Sequence, residues 1–133
     1  MERSLFRYII HHTWRDQIWL LVVRGGVNAL DDDIVRRAAG LTRAKWGFDG
    51  ISVFEVPNGD FGELCALVTA MAERPRIRTA FASAVRHAGF PLLDTVGPLH
   101  WTIVLPDIEA ETLERLRGVF SQPHDNPGFR RRS

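Results

Sequence analysis

The feature that most constrains the fold is an unbroken apolar run at residues 18–23, which stops at Arg24-Gly25-Gly26. The run is rich in β-branched and aromatic residues, which is typical of a strand covered on both faces. It is the longest apolar stretch of the chain, far shorter than the roughly 20 residues of a membrane-spanning helix. We therefore predict a buried strand at 18–24 and no membrane segment.

A helix is predicted soon after this strand. The aspartates at 31–33 suit an N-cap and a first helical turn, because carboxylates accept from the first amides and complement the helix dipole. Gly47 is placed to end the helix, and residues 51–56 predict another strand. Strand, helix and strand together predict a right-handed βαβ unit with parallel strands at 18–56.

The rest of the chain continues the alternation of strands and helices. Further strands are predicted at 4–10 and 76–80, a helix before Pro75, and a C-terminal β-hairpin followed by a helix that opens near Asp107. The prediction is one α+β domain at 1–120, with a mixed sheet of about five strands packed by three to four helices. Residues 121–133 are rich in proline, glycine and arginine and predict an extended or disordered tail.

Composition narrows the class of protein. A chain of 133 residues with 45% hydrophobic and 25% charged residues fits a single folded domain. The N-terminus lacks the apolar core and cleavage site of a signal peptide, so a cytoplasmic location is expected. Cys65, the single cysteine, cannot form an internal disulfide, and its apolar surroundings predict a buried, inert thiol.

The charge balance argues against a polycationic body. The formal net charge is +1, and the three arginines at 130–132 supply three positive charges, which leaves residues 1–129 at −2. All basic residues except Lys45 are arginine, which is typical of a GC-rich genome although arginine also suits bidentate phosphate binding. The pI is therefore no sign of nucleic-acid binding by itself.

Arg24, Gly25 and Gly26 are the first candidate site. At a strand end, glycines let backbone N–H groups approach an anion, and an arginine can pair with phosphate. The alternative is that the two glycines only provide positive φ angles for a tight exit from the strand. The motif is neither a dinucleotide-binding fingerprint nor a P-loop.

Two histidines are candidate catalytic residues. His12 lies in a predicted loop with Trp14 and Arg15, where an imidazole could act as a general acid or base and an arginine could stabilise an anionic transition state. His100 starts a strand whose alternation places it away from the main core. For both histidines a structural or solvent-exposed role is the alternative.

Arg76 and Arg78 form a further candidate phosphate patch, because alternate residues of a strand share a face. Solvation or pairing with carboxylates would explain them equally well. No spacing typical of a metal site and no cofactor motif is present, so neither a metal nor a cofactor is predicted.

The ordered segments VRGG, WGFDGISVF, RHAGFPLLDT, HWTIVLP and QPHDNP resemble small proteins of unassigned function from bacteria with GC-rich genomes, over residues 20–127. This resemblance brings no catalytic residues with it. It implies a freestanding bacterial domain, of the kind often found as one half of a toxin–antitoxin pair. An arginine at a strand end before glycines also resembles NAD-dependent ADP-ribosyltransferases, although their later Glu-x-Glu or Gln-x-Glu element has no counterpart on a predicted strand edge here.

Three functions follow, and the sequence leaves open whether the protein is an enzyme. The first is a toxin-like domain acting on RNA or another phosphate-bearing substrate, such as a metal-independent ribonuclease. Arg24 and the glycines would then hold phosphate, with His12 or His100 as acid and base. The second is a non-catalytic interaction or regulatory module that contacts an antitoxin or assembly partner through Trp14 or through the tail with Phe129 and its arginines. The third, more remote, is an ADP-ribosyltransferase-like enzyme. The oligomeric state is not predicted.

Overall fold

The computed structural model describes residues 19–95 and 97–130, and it contains a five-stranded sheet beside a two-stranded one. The predicted α+β class, with a sheet of five strands, is confirmed. The elements in chain order are β1 (Leu20–Val23), α1 (Asp32–Trp46), β2 (Gly50–Glu55), a 3₁₀ turn (Pro57–Gly59), α2 (Phe61–Leu67), α3 (Thr69–Ala72), β3 (Arg76–Ile77), β4 (Thr79–Phe81), α4 (Ala82–His87), β5 (Leu92–Asp94), β6 (His100–Val104), α5 (Ala110–Val119) and β7 (His124–Asp125).

The five-stranded sheet has the order β4-β1-β2-β6-β5, which places β2 at its centre. Every neighbouring pair in it is antiparallel. The prediction of a mixed sheet is therefore wrong for the described strands. The predicted strand at 4–10 lies outside the described residues.

The predicted parallel βαβ unit at 18–56 is also wrong, because β1 and β2 are antiparallel neighbours with Val22 opposite Phe54. A parallel crossover must return the chain to the opposite end of the sheet. Here the end of β1 lies beside the beginning of β2, with Val23 opposite Val53, so α1 returns the chain to the end of the sheet that it left. The connection at residues 24–31 exceeds the 2–6 residues usual in parallel βα loops, and it carries the chain away from the sheet before α1 brings it back.

Alternation along the strands divides the apolar side chains between two cores. On one face of the sheet, Leu21, Val53 and Ile103 belong to a core that includes residues of α1, α4 and α5. On the opposite face, Val22 and Phe54 pack with residues of α2 and α3. We call this opposite side the second face. The domain therefore has three layers: the helices α1, α4 and α5, the five-stranded sheet, and a shorter helical cover formed by α2 and α3.

The predicted C-terminal hairpin and helix are confirmed. Strands β5 and β6 pair antiparallel with Leu93 opposite Thr102, and α5 follows after a short connection. In that connection Asp107 Oδ1 accepts from the Glu109 amide and the Thr112 hydroxyl, which holds the first turn of α5. Among the described residues, no helix is long and apolar enough to cross a membrane.

Residues 121–130, here called the C-terminal strap, pack against the body of the domain. Strand β7 of the strap pairs with β3. Asn126 is buried, and its Nδ2 donates to the carbonyls of Met71 and Arg74 over 2.8 and 2.9 Å. The predicted tail at 121–133 therefore begins with an extended segment that is hydrogen-bonded to the turn after α3; residues 131–133 lie outside the described part.

Candidate functional site

A cleft of about 1020 Å³ opens beside the loop that follows β1, where α1, this loop and residues of the second face of the sheet meet. Ser52 of β2 and Thr102 of β6 lie opposite each other on its floor, with His100 two residues from Thr102. The walls are formed by one side of α1, by the loop at 24–29 and by residues 67–70. The volume lies at the upper end of the range for small-molecule sites, roughly 300–1000 Å³.

The close packing of α1 on the sheet depends on the residues that follow it. A β-carbon on Gly50 would lie 3.3 Å from Thr42 Cγ2 of α1 and 2.9 Å from the Ile103 carbonyl oxygen of β6, so a larger residue does not fit between the helix and the strand. Arg43 clamps the Asp49 carboxylate through two hydrogen bonds of 2.9 and 2.8 Å, and this pairing lowers the pKa of Asp49. These contacts fix the last turns of α1 and with them Lys45, which lines the cleft.

Three basic side chains line the cleft: Arg24 after β1, Lys45 of α1 and Arg74 after α3. Arg74 Nη1 lies 3.7 Å from the position that a β-carbon on Gly26 would take. No aspartate or glutamate is present among the described lining residues, and within the described chain none of the three cations forms an ion pair. The described walls of the cleft therefore contribute three positive charges and no negative one, which favours an anionic ligand.

A chain of hydroxyl groups ends on the imidazole of His100. Thr102 Oγ1 donates to Thr95 Oγ1 over 3.1 Å, and Thr95 Oγ1 lies 2.5 Å from His100 Nδ1. Because the Thr95 oxygen already accepts from Thr102, its own hydrogen is directed to Nδ1 in the arrangement that gives each atom one role. The neutral ring then carries its proton on Nε2, which is a hydrogen-bond donor.

The surroundings of His100 favour the neutral imidazole. Burial lowers the pKa of His100 below its ordinary value, and the positive charges of Arg24 and Lys45 lower this pKa further. Each of these causes disfavours a second proton on the ring. At neutral pH, His100 is accordingly an uncharged donor beside a group of cations.

The mouth of the cleft is apolar. Leu41, Leu67 and Val27 line it and have exposed fractions of 71%, 52% and 45%. Large exposed aliphatic side chains that gather around one concave surface mark interaction sites more often than inert surface. The cleft thus combines a hydroxyl-bearing floor with three exposed cations and exposed aliphatic side chains around its opening.

The structure brings four of the predicted site residues together: Arg24, Gly25, Gly26 and His100 all line this cleft. His100 is distant in sequence from residues 24–26, and the two sites meet because β1 and β6 flank the central strand β2. Of the two glycines, only Gly25 has a positive φ, at 128°.

The other predicted phosphate ligands lie elsewhere. Arg76 Nη2 donates to the Pro123 carbonyl over 2.8 Å, and Arg78 Nε donates to the Ser121 carbonyl over 3.0 Å. Arg78 is buried. Both arginines therefore hold the C-terminal strap, and neither lines the cleft. The predicted residues His12, Trp14 and Arg15 lie outside the described part of the chain.

Sequence reasoning missed two of the three cations. Lys45 stood at helical spacing within an apparently apolar stripe of α1, and Arg74 stood in a short segment with several arginines. A signal for Lys45 was present, since it is the single lysine and lies on the side of α1 that carries Leu41, four residues earlier. Nothing local marked Arg74, because its place depends on the strap.

Cys65 agrees with the inert thiol expected from its surroundings. It is buried, and burial raises the pKa of its thiol, which disfavours the reactive thiolate. Within residues 19–95 and 97–130, no group of three histidine, cysteine or acidic side chains is placed to hold a metal ion.

Comparison with protein families, with curated proteins and with solved structures gives no match for this chain.

Proposed function

We propose that the cleft binds a phosphate-bearing ligand. The observation that carries this proposal is the convergence of Arg24, Lys45 and Arg74 on a cavity whose described lining contains no carboxylate. All three side chains are solvent-exposed and so are available to a ligand. An anion bound in the cleft would be attracted by each of them, and phosphate matches arginine in both charge and geometry.

The uncharged groups of the cleft complete the proposed site. Phosphate oxygens accept hydrogen bonds only, so hydroxyls and the Nε2–H of His100 suit them. Ser52 and His100 supply such donors from the floor, while Arg24 and Arg74 approach from the walls. A neutral His100 adds a donor without adding a fourth cation.

The ribonuclease predicted from the sequence goes beyond binding and stays a prediction. It needs a group that exchanges a proton with the ribose hydroxyl or the leaving oxygen. Of the described residues that line the cleft, His100 is the histidine, and to act as a base through Nε2 it would take the tautomer that carries its proton on Nδ1. RNA cleavage by the wild type that His100→Gln abolishes would be its signature.

The binding proposal is tested by titrating the protein with methyl phosphate, while amide chemical shifts of residues 24–26 and 52 are followed by NMR. We expect Arg24→Ala and Arg74→Ala each to weaken binding by about 10-fold or more, because a hydrogen bond to a charged group contributes about 1.5–3 kcal/mol. Raising the ionic strength should weaken binding by the wild type as well.

Arg37→Ala is the matched control. Arg37 is an exposed arginine of α1 that does not line the cleft, so its removal changes net charge by the same amount. Equal affinities of the Arg24→Ala and Arg37→Ala variants would show that methyl phosphate responds only to overall charge, and would refute the cleft as its site.

A further inference from the structure

We infer that the phosphate-bearing ligand carries an aliphatic chain, so that the cleft is a site for a single-chain alkyl phosphate. This inference rests on the proposed function and specifies the substrate class of the same site. The phosphate would lie among the three cations, and the chain would lie against the aliphatic wall. Four observations lead to it.

The first is the direction of the wall formed by α1. Ile34, Ala38, Leu41 and Lys45 all line the cleft. Their spacing of four, three and four residues places them on one side of the helix. The stripe from Ile34 to Leu41 is roughly 10 Å long, and the cation follows one turn later at its end. A phosphate held by Lys45 would therefore direct an attached chain along an apolar track.

The second is the exposure of the apolar side chains opposite and around this track. Leu41 is 71% exposed and Leu67 is 52% exposed, although each could have been a polar residue without loss of core packing. Val27 adds a third exposed aliphatic group at the same mouth. A bound alkyl chain would remove this surface from water, and each buried methylene group is favourable by about 0.8 kcal/mol.

The third concerns the aromatic residues that a nucleotide base would need. Phe54 is only 7% exposed and packs edge to face with His100, so its ring faces are not open to the cleft. The ammonium group of Lys45 lies over the ring of Trp46, 5.3 Å from its centroid. Stacking on an open aromatic face is the usual way in which an unpaired base is bound; Phe54 offers no open face here, and one face of Trp46 is already covered by Lys45.

The fourth concerns polar groups on the wall. Thr42 is the hydroxyl residue between Leu41 and Lys45, and its Oγ1 donates both to the Ala38 carbonyl and to the Gly50 carbonyl at 3.1 and 2.8 Å. Its single hydrogen is thus engaged within the protein. The middle of the α1 wall therefore offers no free hydrogen-bond donor to a ligand, which matches a hydrocarbon better than a sugar or a base.

The test compares three ligands that share one phosphate group: methyl phosphate, hexyl phosphate and adenosine 5′-monophosphate, each titrated by calorimetry. We expect hexyl phosphate to bind roughly 30-fold more tightly than methyl phosphate, which corresponds to partial burial of its five additional methylenes. The adenosine nucleotide should bind no more tightly than methyl phosphate.

Variants identify the track. Leu41→Gln with Leu67→Gln should abolish most of the advantage of hexyl phosphate and leave methyl phosphate affinity unchanged. Phe81→Gln is the control, because Phe81 is a large apolar residue with 48% exposure outside the cleft. All three positions are exposed, so the variants keep the core intact.

Each outcome has one meaning. Equal affinities for hexyl and methyl phosphate, or an unchanged hexyl advantage in the double leucine variant, would overturn the alkyl-chain inference and leave the phosphate site standing. Tighter binding of adenosine 5′-monophosphate or of a short oligoribonucleotide would overturn it in favour of a nucleotide. Failure of all these ligands to bind would refute the proposed function itself.

Discussion

Gly25 and Gly26 are neighbours with different structural requirements. Gly25 has a φ of 128°, a conformation that other residues rarely adopt, and a β-carbon there would lie 3.0 Å from the β-carbon of Ala29. A β-carbon on Gly26 would meet only Arg74 Nη1, at an ordinary contact distance of 3.7 Å. The tight exit from β1 therefore depends on the first glycine.

This difference predicts unequal effects of alanine at the two positions. Gly25→Ala should lower the free energy of unfolding by about 1–3 kcal/mol, because it adds backbone strain and a close contact. Gly26→Ala should change it by less than about 1 kcal/mol, since the reduced freedom of the unfolded chain offsets small adjustments. Urea denaturation measures both, and equal losses in the two variants would contradict the assignment.

His100 links the stability of the domain to pH. Its pKa is lower in the folded protein than its ordinary value of about 6.5, so the unfolded chain binds a proton more readily than the folded one. The free energy of unfolding therefore falls as the pH decreases from about 6.5 towards the folded pKa, and this contribution is constant above that window. We expect His100→Gln to lose less stability than the wild type between about pH 7.5 and about pH 5.5.

Urea denaturation of both proteins at these two pH values checks this. Glutamine keeps a polar side chain of similar reach beside Thr95 and has no proton to gain. Because other groups titrate equally in both proteins, the comparison isolates His100. A loss on acidification that is as large in the variant as in the wild type would exclude His100 as its origin.

The C-terminal strap is the element that places Arg74 at the cleft. Asn126 Nδ2 bonds the carbonyls of Met71 and Arg74, and the Asn126 amide donates to the Pro75 carbonyl over 3.0 Å. The strap thus holds the backbone of the turn that carries one of the three cations. The strap therefore determines where one of the three positive charges of the cleft lies, although it is far from β1 and α1 in sequence.

Asn126→Ala should therefore affect both folding and binding. It removes the two bonds of Nδ2 and the bond that Oδ1 accepts from the Gly128 amide, so we expect a loss of about 2–4 kcal/mol in the free energy of unfolding. Methyl phosphate affinity of the folded variant should also fall, towards that of Arg74→Ala.

Gln122→Ala is the control for the strap, because Gln122 is exposed in the same segment. It should leave both quantities unchanged. Normal phosphate affinity in a folded but destabilised Asn126→Ala variant would show that Arg74 keeps its place without the strap.

On the scale of the whole molecule, periodicity predicts elements better than their direction. The apolar run before Arg24 and the aspartates at 31–33 correctly located β1 and α1, because strand and helix signals are local. The antiparallel pairing of β1 with β2 was missed, since it depends on which end of the sheet α1 reaches. The long connection at 24–31 was the available signal for it.

The candidate site was predictable to the extent that it lies at the end of a strand. Arg24, its glycines and His100 could be named because each follows or starts a strand of the sheet. Their proximity to Lys45 and Arg74 could not be predicted, because it depends on the strand order and on the position of the strap. Arg76 and Arg78 show the same limit in reverse, since their strand pattern suggested a phosphate patch while their contacts hold the C-terminus.

The strand order also has a consequence for how the chain folds. Most strand pairs of the large sheet join segments that are far apart in sequence, as Leu20 with Phe81 and Gly50 with Val104 show. Among the described strands of this sheet, only β5 and β6 are neighbours that a short turn connects. Contacts between distant segments form only after a long loop has closed, and the conformational entropy lost in closing it slows folding. During synthesis on the ribosome, β1 and β2 emerge long before β6 completes the sheet around them. Until then their apolar faces and the unpaired edge of β2 stay exposed, and in this interval a newly made chain is most prone to aggregation.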